Sequence, residues 1–323
     1  MPDVAVFRSI ILCKKAHFLH IICNNTPRRI ANFFVTLCEF QMMMEYRLTD
    51  RSGLILEGGG MRGVFTCGVL DNLMDRGIRF PYTIGVSAGA CNGLSYMSGQ
   101  RGRGKFSNID LLEQYRYIGF KQLIFKGNIM DFDLLFHKFP EEIIPYHYDK
   151  LAACDEHFEM VTTSCHTGKA CYYEEKHDPK RVIDIVKASS SLPFVAPISY
   201  VDGEPMLDGG IADSIPLKRA HTLGYDNNLV VLTRNKGYRK PSKPGTMPPL
   251  FYRKYPALRD AIRHRNLLYN EQIALVEELE SQGRLTVIRP EKPISVDRME
   301  RDTSKLLDLY NEGYACAAKV EFV

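Results

Sequence analysis

The sequence predicts an α/β fold: a three-layer α/β/α arrangement around a mostly parallel central sheet. Two short, largely apolar runs, "GLILE" from residue 53 and "YTIGV" at 82–86, read as buried parallel strands because neither alternates with polar residues. Each runs into a glycine-containing turn followed by helical periodicity. The resulting β-α-β-α unit, with a right-handed crossover, puts both strands in one sheet. A chain of 323 residues, 45% of them hydrophobic, also has the apolar surface for a substantial core.

The elements follow in order. Residues 1–42 are expected to be a non-core N-terminal extension. In "SIILCKKAHFLHIICNN" the pair Lys14 and Lys15 breaks the apolar run well short of the ~18 to 20 residues that a spanning helix needs. No small-residue cleavage site follows an unbroken apolar core either, and Met42, Met43 and Met44 would allow a later start. A helix is expected from Val64, with Cys67, Leu70 and Leu73 on one face and Gly77 as its stop. "AGACNGLSYMSG" reads as a small-residue helix behind Ser87, and residues 101–147 as an aromatic-rich insertion over the sheet. "HFEMVTTSCHTG" and "ACYYEE" alternate as paired strands, with Cys165 and Cys171 as core residues beside the turn. "RVIDIVKASSSL" is a helix halted by Pro193, and "EPMLDGGIADSIPLKRAHTLG" a turn running into a helix. "NLVVLTR" returns as a buried strand, followed by a helix over 256–282, a late strand at "RLTVIRP" and a terminal helix over 298–320. The expected division is a main domain at 50–235 and a C-terminal helical extension, 236–323, packed on the same domain.

Composition excludes several classes. A net charge of +4 is small for this length and no recognition motif accompanies it, so nucleic acid is not an expected partner. Nine cysteines without a C-x-x-C pair read as reduced thiols in a cytoplasmic protein, and no ligand spacing calls for a metal. Two stretches are locally basic. Residues 101–126 carry six Lys or Arg against two acids, and residues 234–265 carry ten against Asp260 alone, both interleaved with aromatics. Such stretches suit peripheral contact with an anionic membrane at ~1 kcal/mol per basic residue. A solvated helix and loop face is the competing reading.

The chemistry concentrates in two loops. Ser87 sits between Gly85 and Gly89, the form of a nucleophile on a sharp strand-to-helix turn. Its hydroxyl needs a base, and no histidine is spaced to supply one. "LEGGGMRG" fits G-x-G-x-x-G through Gly58, Gly60 and Gly63, which admits a dinucleotide-binding oxidoreductase. A dinucleotide site wants an acidic residue at the end of the second strand, where this sequence has Gly85-Val86-Ser87. A hydrolase explains both loops, with glycine N–H groups holding the oxyanion created by attack from Ser87. A catalytically idle lipid-binding protein of the same fold is the third reading.

The blocks Gly58-Gly59-Gly60-Met61-Arg62-Gly63, Gly85-Val86-Ser87-Ala88-Gly89 and Asp208-Gly209-Gly210 together resemble the patatin-like phospholipases, in order and in approximate separation, and the tail is similar to a bacterial branch of that family. The resemblance implies a patatin-like fold and a lipid acyl hydrolase, either a phospholipase A or a lysophospholipase-like esterase. It further implies a Ser87 and Asp208 dyad without histidine, in which Asp208 is the proton acceptor, and no metal or organic cofactor. The oxyanion set it implies runs from Gly58 to Gly63 with Ala88, centred on Gly59 and Gly60. Glu57 departs from the family's usual aspartate, with little consequence expected for a loop that works through its backbone. Against the dyad stands His221, which follows Asp208 in the chain order of α/β-hydrolase triads. It is expected about two turns into a helix and carried away from that turn, while His157, His166 and His177 lack any partner pattern. Ser189, Ser190 and Ser191 are expected to shape the pocket wall or end a helix. Arg62 is either a charged neighbour of the oxyanion, chiefly positioning the loop, or a surface residue of the first helical turn.

Overall fold

The structure, a computed structural model, describes residues 44–119 and 129–323. The expected N-terminal extension, 1–42, lies outside them. Contacts divide the chain into a large unit, Tyr46–Ala318 with Phe322–Val323, and a small one whose described members are Met44, Glu45 and Lys319–Glu321. Strands β1 (Met44–Tyr46) and β10 (Val320–Phe322) form a two-stranded sheet.

The large unit holds an eight-stranded sheet. Its strands are β2 (Ser52–Leu56), β3 (Tyr82–Val86), β4 (His157–Ser164), β5 (Ala170–Glu174), β6 (Ser199–Val201), β7 (Glu204–Asp208), β8 (Asn227–Val231) and β9 (Leu285–Ile288). They run in the order β6-β7-β4-β3-β2-β8-β9, with β5 paired to β4. The run from β4 through β3, β2 and β8 to β9 is parallel, as the uninterrupted apolar stretches require, and β5, β6 and β7 are antiparallel to their neighbours.

Alternation along the strands creates the layers. Ile55, Ile84 and Val230 point to one face, where they pack with Tyr269, Ile273 and Val276 of a long helix, Pro256–Ser281. Leu56 and Phe158 point to the other, against Gly93 in the helix Ala88–Met97. We number the helices α1 (Val64–Asp75), α2 (Ala88–Met97), α3 (Pro179–Ser189), α4 (Leu217–Thr222), α5 (Pro256–Ser281) and α6 (Thr303–Ala318). Proline opens both α3 and α5, and the Asp178 side chain caps α3 by accepting from the N–H groups of Lys180 and Arg181 at 3.0 and 3.2 Å. Helices α1 and α6 cross backbone to backbone: a side chain on Gly68 would strike the Tyr310 carbonyl, and one on Gly313 would strike the Phe65 carbonyl.

One expectation changes. "EPMLD" is strand β7, not the start of a turn. The late strand expected at "RLTVIRP" is β9, which completes the parallel run beside β8. Among the described residues no helix is long and apolar enough to cross a membrane.

The register of β4 fixes the site. A strand has two edges, and β5 occupies one of them along Glu159–Thr163. Strands β3 and β7 therefore share the other, β3 against residues 157–161 and β7 against 162–164. Val86 pairs with Val161 and Asp208 with Thr162, so the two strands meet end to end. The residue that follows β3 and the residue that closes β7 arrive at one point.

Candidate active site

Ser87 is the residue that follows β3. Its φ of 56° and ψ of −122° lie in a region that side-chain-bearing residues avoid, at a cost on the order of 1 to 3 kcal/mol that the surrounding structure must offset. The restraint is visible. The Ser87 N–H donates to Ser189 Oγ at 2.8 Å, and that hydroxyl donates to the Val161 carbonyl at 2.6 Å. The Ser87 carbonyl meanwhile accepts from the N–H groups of Ala90 and Cys91 as α2 begins. Ser189 thus pins the turn to β4, a role its sequence surroundings did not signal.

Asp208 closes β7 and is 2% exposed. Its Oδ1 accepts the Gly210 N–H at 2.7 Å, while the buried Oδ2 has no partner. The Asp208 backbone is held on both sides: its N–H donates to the Ser191 carbonyl at 2.9 Å, and its carbonyl accepts from Thr163 Oγ1 at 2.9 Å. Gly209 packs on the Val161 carbonyl. The serine run at 189–191 therefore fixes the backbones of both Ser87 and Asp208, rather than only walling the pocket.

The glycine loop lies over this junction. A Cβ on Gly58 would sit 2.9 Å from the Val86 carbonyl oxygen and 3.1 Å from Ser87 Cβ, so glycine is what lets the loop come this close. Gly60 has φ 58°, and a Cβ there would lie 2.5 Å from the Arg298 carbonyl. Met61 donates its N–H to that same carbonyl at 3.0 Å and is unavailable to a ligand, which removes it from the expected oxyanion set. Arg62 and Gly63 lie within the 3₁₀ turn Gly60–Gly63, where i→i+3 bonding engages the N–H groups of the later residues. Among the described residues no group accepts from the N–H of Gly59, Gly60 or Ala88.

Glu57 proves more than a spacer. Its Oε2 accepts from the Thr233 N–H at 2.6 Å and from Thr233 Oγ1 at 3.1 Å, and its Oε1 accepts from Tyr269 at 2.9 Å. It ties the loop to the end of β8 and to α5.

Two cavities meet at Ser87, with Gly60 and Leu192 bordering both. One, of about 110 Å³, is apolar and lined by Met61, Cys91, Phe132, Phe136, Phe139 and Val186. The other, of about 40 Å³, holds Asp208 and is lined by Arg62, Arg234, Lys240, Arg265 and Arg298. Arg62 is 5% exposed, which overturns its reading as a surface residue. Burial, then the charges of Arg234 and Arg298, push its guanidinium down to about 10. Burial, reinforced by Arg265, lowers the Lys240 ammonium to about 7. The basic stretch 234–265 is thus divided, with Arg234, Lys240 and Arg265 turned into the cleft. The stretch 101–126 falls partly outside the described residues. In its described part Tyr117 is buried and Arg103 stacks on Tyr146, 3.4 Å from the ring centre.

No histidine lines either cavity among the described residues. His157 pairs with Glu174 at 3.0 Å and His166 packs on the Tyr255 ring, while the N–H of His177 donates to Glu175. His221 is the fifth residue of α4, nearer the helix start than expected, and burial lowers its pKa, with Arg284 adding to the shift.

The family described as patatin-like phospholipase matches residues 54–221, just over half of the chain. A domain of unknown function, DUF6363, matches residues 255–320. The chain is 26% identical over 277 residues to the uncharacterized protein YjjU of Escherichia coli strain K12, covering 82% of this chain and 76% of that one. The crystal structure of VipD from Legionella pneumophila is similar at a TM-score of 0.49 and 12% identity, covering 84% of this chain and 66% of that one, so this chain spans just under two thirds of its length. With its glycine loop, its elbow serine and its Asp-Gly-Gly turn inside the matched span, the chain belongs to the patatin-like phospholipase family of lipid acyl hydrolases.

Proposed function

We propose that the protein is a serine carboxylic-ester hydrolase of lipid acyl esters, with Ser87 as nucleophile and Asp208 as its base. The observation that carries this reading is the end-to-end meeting of β3 and β7. It brings together, in a single cleft, a strained serine and an aspartate with one oxygen that is unpartnered among the described residues, none of whose histidines lines that cleft.

Ser87 Oγ attacks the ester carbonyl while its proton passes to Asp208 Oδ2. The carbonyl oxygen becomes an oxyanion and takes the free N–H groups of Gly59, Gly60 and Ala88. As the intermediate collapses, the C–O bond to the alcohol breaks and the proton on Asp208 leaves with that alcohol. Water then repeats the sequence in reverse: Asp208 takes a proton from it, its oxygen attacks the acyl carbon, and Ser87 recovers its proton as the free acid departs. Glu57, through Thr233 and Tyr269, keeps the loop in place throughout. The acyl chain occupies the apolar cavity. Lipid is drawn from an anionic surface by the exposed side chains of Leu250 and Phe251, within the basic 234–265 stretch, and of Phe194, whose ring packs on Phe251.

The test is covalent labelling with a fluorophosphonate, together with hydrolysis of an acyl ester series. Labelling and turnover that both vanish in Ser87→Ala are expected. Undiminished turnover in a folded Ser87→Ala variant would overturn the assignment.

A further inference from the structure

The 40 Å³ cleft beside Asp208 carries more positive charge than the dyad calls for. Arg62, Arg234, Lys240, Arg265 and Arg298 line it, and among the described residues none of the five is in a salt bridge. Of the two acids present, Glu57 is committed to Thr233 and Tyr269. The cations are held by packing instead of neutralisation: Arg234 lies 4.3 Å from the centre of the Tyr238 ring, and Lys240 Nζ lies 3.7 Å from that of Tyr269. The Nε–H groups of Arg62 and Arg265 are buried without an acceptor. Buried donors are ordinarily satisfied, and packed cations repel, so this group is assembled at a cost that a bound anion would offset. The room fits a small one. At roughly 10 to 15 Å³ for each water, a cleft of about 40 Å³ takes about three waters, the bulk of one tetrahedral oxyanion.

Position decides what the anion belongs to. The cationic cleft and the apolar cavity are separate spaces that share Gly60, Ser87 and Leu192 as their common boundary. An ester with its carbonyl at Ser87 and its acyl chain in the apolar cavity has the cationic cleft as the adjoining space for its alcohol portion. Guanidinium groups suit the several oxygens of a phosphate, and four guanidinium groups with Lys240 beside them, against two carboxylates, suit a dianion better than a zwitterion.

We propose that this cleft is a recognition site for a phosphomonoester on the alcohol portion of the substrate, and that Arg265 and Arg298, from the segment 255–320, complete it. The protein then prefers acyl esters of a phosphorylated alcohol, such as an acylglycerol phosphate, over esters of uncharged or choline-bearing alcohols. This inference rests on the proposed ester hydrolysis for its substrate, but not for its anion site.

The experiment therefore has two parts. The first measures kcat/KM for three esters of one acyl chain, namely acylglycerol 3-phosphate, acylglycerophosphocholine and monoacylglycerol. The wild type is compared with Arg265→Gln, Arg298→Gln and Arg298→Lys, each checked for an unchanged melting transition. The wild type should favour the phosphomonoester over the monoacylglycerol by roughly tenfold to a hundredfold, the scale of a charge-assisted contact. Both glutamine variants should lose most of that preference and Arg298→Lys should keep a good part of it. Equal turnover of the three esters by the wild type, or a preference indifferent to both glutamine variants, overturns the proposal.

The second part needs no turnover. Calorimetric titration of glycerol 3-phosphate into Ser87→Ala should give binding that disappears when Arg265→Gln or Arg298→Gln is added. If no ester is hydrolysed but this binding is found and lost as described, the hydrolase reading fails and the anion site stands. No binding overturns the site. Inorganic phosphate that binds as tightly as glycerol 3-phosphate, with no preference among the esters, makes this a free-anion site and overturns the substrate assignment.

Discussion

Tyr269, on α5, donates its hydroxyl to Glu57 at 2.9 Å across 212 positions of sequence, and both side chains are buried. The glycine loop is thereby anchored from outside the segment that contains it. Tyr269→Phe should leave Glu57 Oε1 without its donor, and a buried acceptor stripped of its partner costs about 1 to 3 kcal/mol. The denaturant midpoint should fall accordingly, and turnover should fall further than stability alone explains. An unchanged midpoint would mean that the loop does not depend on this contact.

If Asp208 is the base, Asp208→Asn should reduce turnover nearly to the level of Ser87→Ala, because the shape persists while the proton acceptor is gone. Residues acting as one unit are not additive, so the double variant should be scarcely worse than either single change. Alanine replacements of His157, His166, His177 and His221, one at a time, should each retain most activity. A folded His221→Ala protein without turnover would call for a conventional triad.

Gly60 is constrained twice, by a φ of 58° and by the Arg298 carbonyl 2.5 Å from where a Cβ would be. Gly60→Ala should therefore lower both stability and turnover. The alanine keeps its N–H but displaces it, and a displacement equivalent to losing one oxyanion donor raises the barrier by about 2.7 to 4 kcal/mol, so kcat should fall by about a hundredfold to a thousandfold. Rates close to wild type would remove the loop from the reaction.

Lys240 supplies a pH test. Burial lowers its ammonium from 10.5 to about 7 in the folded protein. Between those values the unfolded chain holds the proton that the folded chain has released, so stability rises with pH across this window and is least below pH 7. Lys240→Met removes the term. Its gain in melting temperature over the wild type should be largest near pH 6 and shrink by pH 9. A gain independent of pH would show that the ammonium does not titrate there.

What could be read from the sequence follows a physical divide. Strands β2, β3 and β8 and helices α1 and α2 were legible because contiguous residues encode them, through apolar runs and helical spacing punctuated by glycine. Ser87 and its glycine loop were legible for the same reason. Strand β7 was not. "EPMLD" carries a proline and precedes two glycines, which by local preference is a turn, and only pairing with β4 and β6 makes it a strand. The work of Ser189 and of Glu57 was equally hidden, since their partners Val161, Thr233 and Tyr269 are brought to them by the fold alone. The five cations of the cleft, drawn from positions 62 to 298, left only a partial trace as a basic stretch that also fits a solvated surface.

The glycine-to-carbonyl crossing of α1 and α6 bears on how such a protein can be cut and recombined. Gly68 admits α6 and Gly313 admits α1, so each is the licence for the other. A graft of residues 255–320 onto a foreign patatin-like core would be refused by any larger residue at the position of Gly68. Conversely, this core with its tail removed would present a notch with nothing shaped to fill it. The late-encoded segment is thus interchangeable only as one half of a matched pair.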